Sequence, residues 1–146
     1  MKYNSKKVNY LLSIIIIIAV LIIALMRGNS NISPNFGDNS LTVYAPKEFS
    51  FSVTYDEISS IALVEFTAPG NMLSGGTNRN CSWGVWENEA WGQYVRCTVQ
   101  KADTAILVTT VDNTHLIFSY EDDETTAALL QAFQELLISR ESEPAA

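Results

Sequence analysis

The sequence predicts a mainly β domain with one C-terminal α-helix and an N-terminal transmembrane helix. Three observations predict it: an unbroken apolar run near the N-terminus, apolar residues at alternate positions in mid-chain, and helical apolar spacing near the end. With 146 residues, the chain has room for one such domain. We predict a basic N-terminus at 1–9, a transmembrane helix at 10–26, a flexible linker at 27–40, a β-rich domain at 41–139 and a polar tail at 140–146.

The apolar run covers residues 10–26, in which Ser13 is the only strongly polar side chain. Together with residues 8 and 9 it makes about 28 Å of helix, close to the hydrocarbon core of a bilayer at about 30 Å. A cleaved signal peptide is the main alternative, but no small-residue cleavage pattern precedes Arg27. We therefore expect an uncleaved, single-pass anchor in the cell membrane.

Charge predicts the orientation of this anchor and excludes some partners. Lysines 2, 6 and 7 precede the run and only Arg27 closely follows it, which places the N-terminus in the cytoplasm and the domain outside. The net charge is −7, and because residues 1–27 carry +4, the remainder carries −11. Such an acidic domain is a poor match for nucleic acid or anionic lipid headgroups, which need clustered Lys and Arg.

Seven strands are predicted between residues 41 and 120. They lie at 41–45, 49–54, 58–66, 81–86, 93–100, 104–111 and 114–120. The second is the clearest, because Phe49, Phe51 and Val53 alternate with small polar residues. Asp112 and Asn113 predict a tight hairpin turn, whereas residues 67–80, rich in Gly, Asn and Ser, predict a long loop. Both faces of the last hairpin are apolar, which leaves its inward face undecided.

After residue 120 the apolar period becomes helical. Asp122 or Asp123 can cap a helix whose apolar stripe runs through Leu130 and Phe133. A lone amphipathic helix that follows strands must bury its stripe against their sheet. The predicted fold is therefore a small, closed or nearly closed barrel plugged by this helix.

Several segments resemble the bacterial pleckstrin-homology (PH-like) domains that are attached to membrane segments in Gram-positive bacteria. The matching segments are 55–61 (YDEISSI), Gly84-x-Trp86 with Trp91-Gly92, 105–110, 116–119 and the acidic 121–124. The resemblance covers about residues 41–138 and implies a seven-stranded antiparallel barrel or sandwich capped by a C-terminal helix. Basic residues are sparse in the predicted loops, so phosphoinositide binding is not expected.

We expect neither a catalytic residue nor a metal or other cofactor. His115 is the single histidine, and no nucleophile motif accompanies it. Cys81 and Cys97 lack the spacing of a zinc site, and residues 121–124 lack the ligand pattern of a calcium loop. The cysteines lie roughly opposite each other on two predicted strands. They fit either a disulfide, worth about 3 kcal/mol, or two buried free thiols equally well.

The three tryptophans lie within nine positions. If exposed, they could bind peptide, glycan or the lipid interface, whereas if packed they fill the barrel. The candidate binding surface is Trp83, Trp86, Trp91, Tyr94 and Arg79. Of these, Trp83 is expected to be the most exposed, while Trp86 and Trp91 match the family pattern and are expected to pack.

The predicted function is a noncatalytic binding or scaffold module, held at the bacterial cell envelope by its anchor and contacting another protein or an envelope component. The alternative is an envelope enzyme, or an accessory subunit of one, that uses carboxylates. A pocket with convergent carboxylates of perturbed pKa would favour the enzyme, and a groove or sheet edge near the tryptophans would favour the binding module.

Overall fold

The computed structural model describes residues 5–27 and 31–141, with side chains for 7–22 and 31–141. Within these ranges the chain is mainly β, with nine strands and two α-helices. Their order is α1 (Ser5–Arg27), β1 (Ser33–Phe36), β2 (Ser40–Tyr44), β3 (Ser50–Thr54), a 3₁₀ turn (Tyr55–Glu57), β4 (Ile58–Glu65), β5 (Asn71–Thr77), β6 (Cys81–Asn88), β7 (Gly92–Val99), β8 (Thr104–Thr110), β9 (His115–Phe118) and α2 (Asp123–Glu141).

A small antiparallel sheet is formed by β1, β2 and β3 in that order. The predicted alternation of β3 is confirmed, because Val53 is buried while Ser50, Ser52 and Thr54 are exposed. The turn between β2 and β3 places Lys47 and Glu48 at φ +60° and +61°, as a tight hairpin requires.

A larger sheet has the strand order β4-β8-β9-β7-β6-β5. All its neighbours pair antiparallel except β7 and β9, which are parallel. Its two edges, β4 and β5, are not paired with each other, so the sheet is not closed. The predicted hairpin turn at Asp112–Asn113 is confirmed: Asn113 has φ +66°, and the Asp112 carboxylate accepts hydrogen bonds from the Thr110 hydroxyl and the Thr114 amide.

The large sheet must curl, because its edge strands are consecutive in the chain. In a flat sheet, five interstrand spacings of about 4.8 Å would separate β4 from β5 by about 24 Å. The end of β4 and the start of β5 also lie at opposite ends of the sheet. The connection between them, residues 66–70, reaches at most about 21 Å. This crossover therefore runs diagonally over one face, which we call the concave face.

Helix α2 packs on the opposite, convex face and on the small sheet. Its fully buried Phe133 contacts Phe36 and Tyr55, with ring centroids 5.0 and 6.3 Å away. The predicted capping role falls to Asp122, whose carboxylate accepts the Thr125 amide at 2.8 Å. The last hairpin is buried on both faces: Ile106 and Phe118 lie in the core under α2, and Ile117 lies in a second cluster on the concave face.

Helix α1 lies against α2. Ser13 and Ile17 are each 3% exposed, and Ile17 belongs to the main core, whereas Leu11, Ile15 and Ile18 are at least half exposed. Among the residues that the structure describes, no helix combines the length and apolar character needed to cross a bilayer.

Three predictions about local structure were wrong. The described residues hold nine strands, not seven, and they form two sheets that are not closed, where a closed or nearly closed barrel was predicted. The segment predicted as a linker contains β1, and Ile32 just before it is fully buried. The predicted loop at 67–80 contains β5, which pairs with β6 through a close backbone contact of Gly75 with Gly84. Pairing with a neighbour makes each of these segments a strand, although neither has alternating apolar residues.

Candidate functional site

Four aromatic side chains form a cluster on the concave face, beneath the crossover. Phe66 lies parallel to Trp91 at 6.0 Å between centroids, and Tyr94 meets both edge-on, at 6.1 Å from Phe66 and 5.2 Å from Trp91. Trp86 completes this aromatic cluster, opposite Tyr94 on the neighbouring strand. The Tyr94 hydroxyl donates a hydrogen bond to the Pro69 carbonyl at 2.6 Å, which ties the crossover to the sheet.

Burial changes the titration of Tyr94. Desolvation raises the pKa of its phenol to about 12, and the positive charge of Arg96 opposes this only in part. The phenol is therefore neutral at physiological pH and acts as a hydrogen-bond donor. Its role in the cluster is to hold the crossover in place.

Arg96 inserts its charge into the aromatic cluster. Its guanidinium carbon lies 4.3 Å from the centre of the Trp86 ring and 4.7 Å from that of Phe66. Nε donates to the Thr98 hydroxyl at 2.7 Å. Desolvation lowers the pKa of Arg96, but the contacts with two ring faces offset part of the cost of burial, because a desolvated cation–π contact is worth about 2 kcal/mol.

An open groove of about 730 Å³ lies beside the aromatic cluster. One wall is the end of the crossover with the start of β5 (Ala68, Gly70 and Asn71), and the other is the β6–β7 hairpin, residues 87–90. The Asn88 side chain links the walls by donating to the Ala68 carbonyl at 3.4 Å, and within the hairpin it accepts the Trp91 amide at 2.8 Å. The groove is lined by the side chains of two Asn, two Glu and two Ala residues and by Gly70, and no aromatic side chain of the described residues lines it.

The structure brings together three of the five predicted surface residues. Trp86, Trp91 and Tyr94 share the concave face, and Trp91 is half-buried. Trp83 does not join them: it is 6% exposed and packs in the core on the convex face, so the expectation that it is the most exposed tryptophan was wrong. Arg79 is exposed in the β5–β6 turn.

Phe66 and Arg96 are the site residues that the sequence analysis missed. Side chains alternate between the two faces of a strand, so the sequence of β7 already indicated that Arg96 lies on the same face as Tyr94. The sequence around Phe66 does not indicate its contact with Trp91, because the two rings meet only where the crossover passes over the sheet.

Both cysteines are free and fully buried in the structure. They are not directly opposite: Cys81 pairs with Val99 and Cys97 with Trp83, so they are diagonal neighbours on one face. Burial raises the pKa of Cys97 to about 12 and also raises that of Cys81. Buried neutral thiols are poor nucleophiles.

The carboxylates with shifted pKa do not share a pocket. Hydrogen bonds from Thr110 and Thr114 lower the pKa of Asp112, and hydrogen bonds from Thr104 lower that of Asp123. Within the described ranges, no group of three or more His, Cys, Asp or Glu side chains is placed to hold a metal ion. His115 contacts the Thr109 hydroxyl through Nδ1 at 3.4 Å and lies near Trp91.

Compared with protein-family models, curated proteins and solved structures, the chain has no significant match. The resemblance to bacterial PH-like domains therefore stays a prediction.

Proposed function

We propose that this chain is a membrane-anchored, noncatalytic binding module of the bacterial cell envelope, and that the groove between the crossover and the β6–β7 hairpin is its binding site. The observation that carries the proposal is the groove itself: about 730 Å³ of open space between the crossover and the β6–β7 hairpin, lined by Asn, Glu, Ala and Gly residues, with Ala90 adjacent in sequence to the half-buried Trp91. Binding sites combine concave shape with aromatic surface and a few polar groups that orient the ligand. The ligand class that fits is a segment of another protein or an envelope polymer.

Two hydrogen bonds fix the crossover beside the hairpin, which favours binding by a preformed site. The Asn88 side chain reaches from the hairpin to the Ala68 carbonyl, and the Tyr94 hydroxyl donates to the Pro69 carbonyl of the crossover. A ligand that enters a preformed site loses less free energy to ordering the protein. Loops on a rigid scaffold often carry binding for the same reason.

Photo-crosslinking tests the binding site. A photoreactive amino acid replaces Ala90 in the groove or, as a matched control, the exposed Gln131 on α2, in the full chain in its native membrane. We expect Ala90 to yield a discrete adduct and Gln131 to yield none. The proposed site is wrong if both positions give the same adducts, or if Ala90 gives none while the variant retains the fluorescence spectrum of the native fold.

The anchor is supported by the uninterrupted apolar sequence of residues 10–26 and by the large aliphatic side chains exposed along α1. In the structure α1 packs against α2 of the folded domain, whereas a spanning helix has its side chains in hydrocarbon. Membrane anchoring therefore requires α1 to leave the position it has against α2.

Two neighbouring isoleucines distinguish an anchor from a packed helix. Ile15 is 60% exposed and Ile17 is 3% exposed. Asp near the centre of a spanning helix costs about 2.5–3.5 kcal/mol, so an anchor predicts that Ile15→Asp and Ile17→Asp both lower retention in carbonate-washed membranes, whereas Asn9→Asp does not. If the wild type is washed off, or only Ile17→Asp has an effect, α1 is an element of the folded domain.

A further inference from the structure

Arg96 is a buried cation without an ionic partner among the described residues. Its side chain is 8% exposed, and its one hydrogen bond goes to the neutral Thr98 hydroxyl. A buried charge is costly unless an opposite charge accompanies it. The surrounding rings compensate for part of this cost, but they bring no negative charge.

The guanidinium is held in a defined orientation. The rings of Phe66 and Trp86 cover it, and Nε is engaged by Thr98. The described residues offer no acceptor to Nη1 or Nη2. Because no fully buried side-chain nitrogen or oxygen in the described part of the chain lacks a hydrogen-bond partner, these two nitrogens are not completely buried.

We propose that the Nη1–Nη2 edge of Arg96 is a binding site for an oxyanion, either a carboxylate or a phosphate. These two nitrogens match the two oxygens of such a group, and charge-assisted hydrogen bonds between them are strong. The aromatic rings cover the faces of the guanidinium and fix its plane before the ligand arrives, while its Nη1–Nη2 edge stays accessible. The site is independent of the groove, because Arg96 does not line it.

The charge of the domain limits the size of the ligand. Residues 28–146 carry −11, so an extended polyanion is repelled, whereas a single carboxylate or phosphate meets mainly the local charge of Arg96. We expect binding with a Kd on the order of millimolar.

The test uses the full chain in nonionic detergent at constant ionic strength, titrated with acetate, phosphate or chloride. We expect acetate or phosphate, but not chloride, to shift the Arg96 Nε NMR resonance saturably. At about ten times its Kd, the same anion raises Tm by several degrees. A response to acetate alone identifies a carboxylate site, and a response to phosphate alone identifies a phosphate site.

The matched variants are Arg96→Met and Arg140→Lys. Arg140 also lies over an aromatic ring, that of Tyr55 at 4.8 Å, but its Nη1 already donates to the Asp38 carbonyl at 2.6 Å. We expect Arg96→Met to lose the rise in Tm and Arg140→Lys to keep it. The proposal is overturned if the Arg96 resonance of the wild type responds equally to chloride or to no anion. The titration of the wild-type resonance tests the oxyanion site even if Arg96→Met does not fold.

Discussion

The carboxylate of Asp123 connects α2 to the large sheet, and replacing it gives a measurable loss of stability. Its Oδ1 accepts three hydrogen bonds at the start of β8: from the Asp103 amide at 2.9 Å, the Thr104 amide at 2.8 Å and the Thr104 hydroxyl at 2.6 Å. Asp123→Asn keeps the shape and one acceptor oxygen but removes the charge. Because Asp123 is exposed, solvent weakens the charge-assisted part, and we expect a loss of about 1 kcal/mol in the free energy of unfolding.

Glu124→Gln is the matched control. Glu124 lies in the same first turn of α2 and is also exposed, so its replacement removes the same charge near the helix N-terminus without breaking the link to β8. The interaction with the helix dipole alone is worth about 0.3–1 kcal/mol. Urea unfolding of the full chain in nonionic detergent, followed by tryptophan fluorescence, measures both losses. Equal losses for the two variants would refute the role of the hydrogen bonds.

The contribution of Asp123 also depends on pH. The Thr104 hydrogen bonds lower the pKa of its carboxyl in the folded state, so the folded state favours the ionised form. The stabilisation is full above the unfolded pKa, near 4, and is lost as pH falls through the lower folded pKa. The difference between wild type and Asp123→Asn should therefore be constant from about pH 5 to 7 and decrease below about pH 4. A difference that stays the same down to pH 2 contradicts this explanation.

Three further predictions concern the core. Gly84→Ala places a Cβ 2.1 Å from the Ser74 carbonyl oxygen and should destabilise the fold by about 3 kcal/mol or more, whereas Gly92→Ala, with φ +68° but open space, should cost about 1 kcal/mol in urea unfolding. Phe133→Ala should cost about 3–5 kcal/mol in the same assay, and a loss below 1 kcal/mol would contradict its central place in the core. Without reductant, Cys81 and Cys97 should resist alkylation in the native chain and gain two adducts in denaturant by mass, whereas no adduct in denaturant indicates a disulfide.

Local sequence predicted those elements whose pattern follows from their own residues. The alternation of Phe51 and Val53, the turn at Asn113 and the cap at Asp122 all act over a few positions, and the structure has each of them. By contrast, β5 is an exposed edge strand. It buries almost no side chains and therefore lacks the alternating apolar residues by which strands are predicted.

The sequence by itself determined that a mainly β domain ends in one amphipathic helix, because side-chain periodicity and capping are properties of neighbouring residues. Only the tertiary structure decided which face of each strand meets that helix. The period of two places Trp83 and Trp86 on opposite sides of β6, and both are buried because α2 covers one face of the sheet and the crossover covers the other. The pairing of β7 with β9 and the placement of Arg96 between Phe66 and Trp86 likewise join residues far apart in the chain. These contacts depend on the strand order of the large sheet and on the path of the crossover, and no local pattern contains either.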